Sequence, residues 1–310
     1  MNPLDWAARH GPYVLIGGLV VGIAVPALAS AMRPWMPQLV VMLLFVSVLR
    51  MEPRAVLRSL TQLRGTLLAV LLLQLAAPLL LIGGAVLLGW QTSPYILALM
   101  LMLAAPSIVG SPNICMMMGV EPNAALRLMV IGTALLPLTV VPVFWAVPAF
   151  GDPSAVLAAA LRLFLTITLT TAAALATRHR LFPNPSPDTL RRMEGASAIA
   201  LAVFVIGLME AVSQGFADDT TRFAVWLALA FIANFGAQFV AWRALKHRVP
   251  RDEATAISVI SGNRNVSLYF VSLPPEVIAP LLVFIGCYQI PMYLTPLVMQ
   301  RLYRTEKDKR

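Results

Sequence analysis

The sequence predicts an all-α membrane protein: ten transmembrane helices in two inverted five-helix repeats, with broken fourth and ninth helices that cross. Three observations predict it. The 310-residue chain is 59% apolar and only 12% charged, with mean hydropathy +0.80, whereas a soluble domain is about half apolar and about a quarter charged. Its apolar runs, set off by charge and turn clusters, approach or exceed the roughly 20 residues that span a bilayer. A stretch of the first half also recurs in the second.

The ten segments run over 11–30, 35–49, 65–89, 94–118, 123–149, 154–177, 194–214, 221–244, 253–273 and 276–300. Arg9 precedes the first, which has no small-residue cleavage site, so a retained helix is expected there and not a signal peptide. Trp35, Trp90 and Trp145 fall near segment ends as interfacial anchors. Both cysteines, Cys115 and Cys287, lie in apolar runs and are expected as free thiols that pack as small hydrophobes. Met116, Met117 and Met118 are expected as packing filler, because consecutive positions point to different faces. The three histidines, His10, His179 and His247, sit at helix ends beside arginines, where no metal site is expected.

The net charge of +9 is a matter of sidedness and not of nucleic acid. Arg50, Arg54, Arg58 and Arg64, then Arg178, Arg180, Arg191 and Arg192, then Arg243, Lys246, Arg248 and Arg251 occupy the even-numbered connections. Arg9 at the start and Arg301, Arg304, Lys307, Lys309 and Arg310 at the end fall on the same side, against only Arg33 and Arg222 opposite. The bias puts both termini in the cytoplasm of a plasma (inner) membrane protein. Three arginines remain. Arg127 and Arg162 lie near segment ends, where they can snorkel. Arg264 lies deeper, and a charge at membrane depth is by default a functional hypothesis. Glu210 is the one acidic residue clearly inside a span, near its outer end. An interfacial position is preferred there to a counter-ion role toward an arginine.

"VIGTALLPLTVVP" (130–142) aligns with "FIGCYQIPMYLTP" (284–296): Ile131 with Ile285, Gly132 with Gly286, Pro137 with Pro291 and Pro142 with Pro296, all offset by 154. This implies two repeats, 1–150 and 151–310. Five helices is an odd number, so the second copy enters the membrane from the opposite side, as in many secondary transporters. Each half breaks a span just before the matched stretch. "APSIVGSPNICMMM" (105–118) holds Pro106, Gly110 and Pro112, and "SVISGNRNVSLYF" (258–270) holds Gly262. Backbone groups freed by such breaks are tolerated only where protein or a cavity satisfies them, and paired breaks point to a transporter's site. Half-helix N-termini at the crossing would present N–H groups and positive dipole ends. Arg264 would add a planar fork suited to carboxylate, sulfonate or phosphate. The candidate substrate-binding set is therefore Ser107, Ser111, Asn113, Ser261, Asn263, Arg264 and Asn265.

With these breaks in hand, the layout resembles the bile acid:sodium symporter family, which is similar in fold to the arsenite exporters. The family's fourth-helix motif, Pro-Gly-Gly-x-x-Ser-Asn, is met by "PSIVGSPN" from Pro106 to Asn113. Its ninth-helix motif, Glu-x-Gly-x-Gln-Asn, is met by "ISGNRN" from Ile260 to Asn265, and its glutamine before a proline by Gln74 in "LQLAAP". The departures are as informative. The family's sodium-binding glutamate is Ile260 here, its glutamine is Arg264, and Pro112 is inserted before Asn113. A guanidinium about 5 Å from a sodium ion, at an effective dielectric near 20, repels it by roughly 3 kcal/mol. The resemblance implies Gln74, Thr133, Ile260 and Gln289 as support at the ion site or crossover, and Arg264 is expected to act there as a tethered cation in place of a mobile one.

The resemblance implies a secondary active transporter of a small organic anion, with alternating access at the crossover, a panel rocking against a core, and no cofactor. Coupling to proton, counter-anion exchange and no coupling all stay open. A sodium-coupled symporter using carbonyls and Ser, Asn and Gln side chains is the alternative in the same class. A non-transporting receptor on the same scaffold is the alternative of another class. Neither His-Glu-x-x-His, Gly-x-Ser-x-Gly nor paired aspartates occur in the spans, so an enzyme is not expected.

Overall fold

The computed structural model describes residues 2–51 and 63–303. Arg54, Arg58, Arg304, Lys307, Lys309 and Arg310, which contribute to the expected sidedness, lie outside the described residues. The described residues are nearly all helical, with no strand among them. Seven of their helices are long and apolar enough to cross a membrane, or eight if one bent pair counts as a span. The chain is a multi-pass membrane protein. Leu80, Leu87, Leu169, Ile232 and Leu297 are largely exposed, the disposition of side chains that face hydrocarbon.

Proline sets many of the helix starts, where its missing N–H removes nothing and its φ is already helical. At the N-terminus, α1 (Pro3–Arg9) is capped by Asn2, whose side chain accepts from the N–H of Leu4. The chain then bends by 99° into the helix Tyr13–Ala24, most of α2 (Gly11–Ala24). Here the expected first helix, 11–30, is corrected. The break falls at Val25, before Pro26, because proline restricts the residue before it and cannot donate to the helix ladder. By contrast α3 (Pro26–Met32), a 3-10 turn at Arg33–Trp35 and α4 (Met36–Arg50) make one 25-residue span. Pro34 and Pro37 sit in first turns, where they interrupt nothing.

The third segment is α5 (Leu63–Leu71), a π turn at Leu72–Ala76 and α6 (Ala77–Leu87). Gly89, at φ 73°, ends it in a left-handed cap, with the N–H of Trp90 bonded to the carbonyl of Ala85. The two segments expected to be broken, 94–118 and 253–273, are both interrupted. The first is α7 (Pro94–Ala104) followed by α8 (Ser111–Met117). Between them and the second break come α9 (Asn123–Trp145), α10 (Pro153–Leu181), α11 (Pro187–Asp218) and α12 (Thr220–Leu245). The second broken span is α13 (Arg251–Gly262) followed by a 3-10 stretch at Val266–Val271. The chain closes with α14 (Pro275–Ile278), a 3-10 turn at Ala279–Leu281 and α15 (Leu282–Tyr303). Pro137 and Pro142 lie inside α9, and their sequence counterparts Pro291 and Pro296 lie inside α15.

The chain divides into two compact units, each drawing on both halves of the sequence. One comprises Met1–Glu52, Leu161–Phe223 and Ser267–Gly286; the other comprises Pro53–Ala160, Ala224–Val266 and Cys287–Arg310. In the first unit α11 packs along α1, α2, α3 and α4. There Glu210 is buried and paired with Arg33, Nη1 to Oε2 at 3.3 Å, so the interfacial reading gives way to the counter-ion reading. Arg162 is exposed, and its Nη1 donates to the carbonyl of Ser272. In the second unit an apolar cluster includes Val70, Cys115, Leu128, Ile131, Val259 and Ile260. Arg127 in this unit is half-buried. Both cysteines are free and buried. Of the methionine run Met118 is buried, while Met116 and Met117 are exposed. Trp35, Trp90 and Trp145 are exposed.

Candidate functional site

All of the residues that meet at the two breaks belong to the second unit. Ala105 is extended because Pro106 follows it, so α7 stops there. After Gly262 the chain leaves the helix at Asn263, with φ −113° and ψ 89°. The two irregular stretches run antiparallel past each other. Ser107 and Arg264 form a β-bridge, the N–H of Ile108 donates to Asn263 O at 3.2 Å, and the N–H of Asn265 donates to Pro106 O at 2.7 Å. Each break satisfies backbone groups of the other, which lipid could not do.

Arg264 is 1% exposed. Its Nε donates to Ser261 O (3.2 Å), its Nη1 to Ala105 O (3.0 Å) and its Nη2 to Leu73 O (3.3 Å). The acceptors explain the charge. Ser261 O belongs to the last turn of α13 and Ala105 O to the end of α7, two negative dipole ends. Leu73 O belongs to the π turn, where the helix ladder is loosened. The guanidinium therefore sits where carbonyl dipoles converge. All three of its nitrogens serve the crossover, so Arg264 is spent on structure more than the expectation of a substrate-facing fork implies. Its own N–H donates to Tyr288 Oη at 3.0 Å, and the Tyr288 hydroxyl donates to Gly262 O.

Beside the crossover lies a buried amide network. Asn263 Oδ1 accepts from Thr295 Oγ1 (3.0 Å) and from Asn234 Nδ2 (3.4 Å). Asn234 Nδ2 also donates to Gly262 O (2.5 Å). Gln238 Nε2 donates to Asn234 Oδ1 (2.7 Å) and lies 3.2 Å from Thr295 Oγ1, while Gln238 Oε1 accepts from Tyr303 Oη (3.0 Å). Gly262 is required by this approach: a Cβ there would overlap the carbonyl of Asn234 and come within 2.6 Å of Gln238 Cγ.

Of the sequence-predicted residues, Ser107, Ser111, Ser261, Asn263 and Arg264 are all buried at or beside the crossing. Ser107 Oγ lies 2.7 Å from Ser111 Oγ, Ser261 Oγ donates to Ser258 O at 2.7 Å, and Asn263 Nδ2 donates to Val259 O at 2.7 Å. Asn265 is half-buried and joins through its backbone, whereas Asn113 is exposed on α8. Gln74 is buried in the π turn, and its amide oxygen lies 3.4 Å from Thr139 Oγ1. Thr133, expected as support, is half-buried one and a half turns away on the same helix as Thr139. Gln289 is buried on α15. Ile260 lies in the apolar cluster, so no carboxylate replaces the one the family motif carries there. Asn234, Gln238, Thr295 and Tyr288 went unnamed in the sequence reading. The available signal was the pair of amides four residues apart in "FIANFGAQFV" (231–240), on one face of an otherwise apolar helix. No protein-family model matches the chain, and no curated protein is significantly similar to it in sequence.

Proposed function

We propose that the protein is a secondary active transporter of an organic anion, and not an enzyme, working by alternating access at the crossing of its two broken helices. It is a divergent relative of the bile acid:sodium symporters, with ten spans in two inverted repeats, in the plasma (inner) membrane with both termini cytoplasmic. One observation carries the reading. Arg264 donates from all three guanidinium nitrogens to carbonyls at Ala105, Leu73 and Ser261, the kind of oxygen cluster that attracts a cation. A permanent, tethered charge takes the role of the mobile sodium ion, and transport is sodium-independent. The crossover and its amide network fall in one compact unit, which supports their moving as a body.

Thermal-shift screening of the purified protein against organic anions, from conjugated bile salts to small keto acids, identifies the substrate class, since a ligand selective for the folded form stabilises it. Counterflow of that anion in vesicles then measures transport. Uptake is expected to be the same in sodium and in choline buffers, and to be lost in Arg264→Gln. Strict sodium dependence of the unmodified protein overturns the proposal, and steady conductance in a planar bilayer would mark a channel instead.

A further inference from the structure

The first unit contains a cavity of about 330 Å³, lined among others by Arg33, Met36, Leu208, Phe270, Ile278 and Leu282. Among the described residues that line it, Arg33 is the one charged side chain and the rest are apolar. The arginine is held in an ion pair. Its Nη1 meets Glu210 Oε2 at 3.3 Å, and the other carboxylate oxygen of Glu210 accepts from Ser30 Oγ at 2.8 Å and from Gln214 Nε2 at 3.3 Å. The Glu210 side chain is 10% exposed and that of Arg33 is 43% exposed. A buried carboxylate therefore anchors one nitrogen of a guanidinium that has five N–H donors, on a side chain that lines the cavity and is partly exposed. Charges in a span are expensive, and such an arrangement points to a ligand by default.

We infer that this cavity is a second binding site, for a small amphipathic organic anion whose acidic head meets Arg33 and whose apolar body fills the pocket. The volume is at the low end for ligand sites, enough for a short acyl chain or a compact ring system and too small for a two-chain phospholipid. Charge complementarity selects the head: among the described lining residues Arg33 is the one charged group, and its partner Glu210 stands outside that lining. Glu210 is a positioning residue, which fixes the guanidinium through the Ser30 and Gln214 contacts. The site shares no residue with the crossover, so its ligand binding is read separately from transport.

The test uses the full chain in phosphatidylcholine nanodiscs, with thermal unfolding followed by tryptophan fluorescence. Decanoate is expected to raise the midpoint saturably, whereas decanol and acetate at equal concentrations do not. Arg33→Gln is expected to weaken the apparent decanoate affinity about tenfold, the loss of one charge-assisted hydrogen bond. Ala279→Trp, at an exposed residue of the cavity wall, is expected to abolish the effect with Arg33 intact, and serves alone if Arg33→Gln does not fold. Equal shifts from decanoate and decanol, or an undiminished decanoate response in either variant, overturn the inference. So does a shift from phosphatidylglycerol in the disc, lost in Arg33→Gln, with none from decanoate.

Discussion

Ser107 and Arg264 face each other across a single antiparallel β-bridge at the crossing of two broken helices. The bridge settles how an all-helical chain tolerates non-helical backbone among apolar helices. Two residues on each side, Pro106 and Ile108 against Asn263 and Asn265, pair N–H with carbonyl groups, and the side chain of Arg264 takes up the carbonyls of Ala105 and Leu73.

Removing that side chain uncovers buried carbonyls. Arg264→Ala is expected to lower unfolding stability by about 3–5 kcal/mol, since each buried acceptor left without a donor costs roughly 1–3 kcal/mol and partial rearrangement recovers some of it. Millimolar guanidinium is expected to raise the unfolding midpoint of Arg264→Ala and to leave the unmodified protein unchanged. Thermal unfolding in detergent checks both outcomes.

The amide network behaves as one unit. Asn234→Leu leaves Asn263 Oδ1 and Gly262 O each short of a donor, and is expected to cost about 2–4 kcal/mol. Thr295→Val removes a donor to the same Asn263 oxygen. A double-mutant cycle on the pair is expected to show a coupling of about 1 kcal/mol or more, where independent sites would add within about 0.5 kcal/mol.

Two glycines matched by the 154-residue offset, Gly132 and Gly286, both sit at close approaches. A Cβ at Gly132 would come within 2.6 Å of Gln74 Nε2, the far end of a flexible side chain. One at Gly286 would overlap Val212 Cγ2, a short branched group, and come within 3.4 Å of the Leu208 carbonyl. Gly132→Ala is therefore expected to cost about 1 kcal/mol and Gly286→Ala about 2–3 kcal/mol. Comparison of the two unfolding midpoints decides the order, and Gln74→Ala is expected to relieve the first.

Asp152 caps α10 from outside the span. The Ser154 hydroxyl, and after it the N–H of Ala155, hold its carboxyl below the usual range. A lowered folded-state pKa contributes stability that is present above the unfolded carboxylate value of about 3.9 and lost as pH falls through the folded value. Asp152→Asn is expected to reduce stability at neutral pH slightly, and to show a shallower loss than its parent below about pH 5. Acid titration of the unfolding midpoint of both proteins tests this.

Much of the architecture was legible in the chain. Hydropathy and length marked a multi-pass helical protein, of whose ten expected spans seven or eight stand as long apolar helices among the described residues, because a bilayer imposes one dimension on every helix. Pro106 and Gly262 marked both breaks, because the residue before a proline avoids helix and glycine holds a helix weakly. The limits of the first helix were misplaced. Three prolines stand between 26 and 37, and only Pro26 falls where a helix is already running, while Pro34 and Pro37 sit in first turns.

The sequence by itself determined that this is a multi-pass helical protein, that spans break near Pro106 and Gly262, and that Arg264 lies at one of the breaks. It did so because solvent preference and backbone stereochemistry are local properties. Only the tertiary structure decided what Arg264 touches, that Asn234 and Gln238 on a distant helix brace Asn263, and that Glu210 anchors Arg33 at a cavity. Those depend on which carbonyls and carboxylates three-dimensional packing brings within about 3 Å of a donor, and no spacing along the chain encodes that distance.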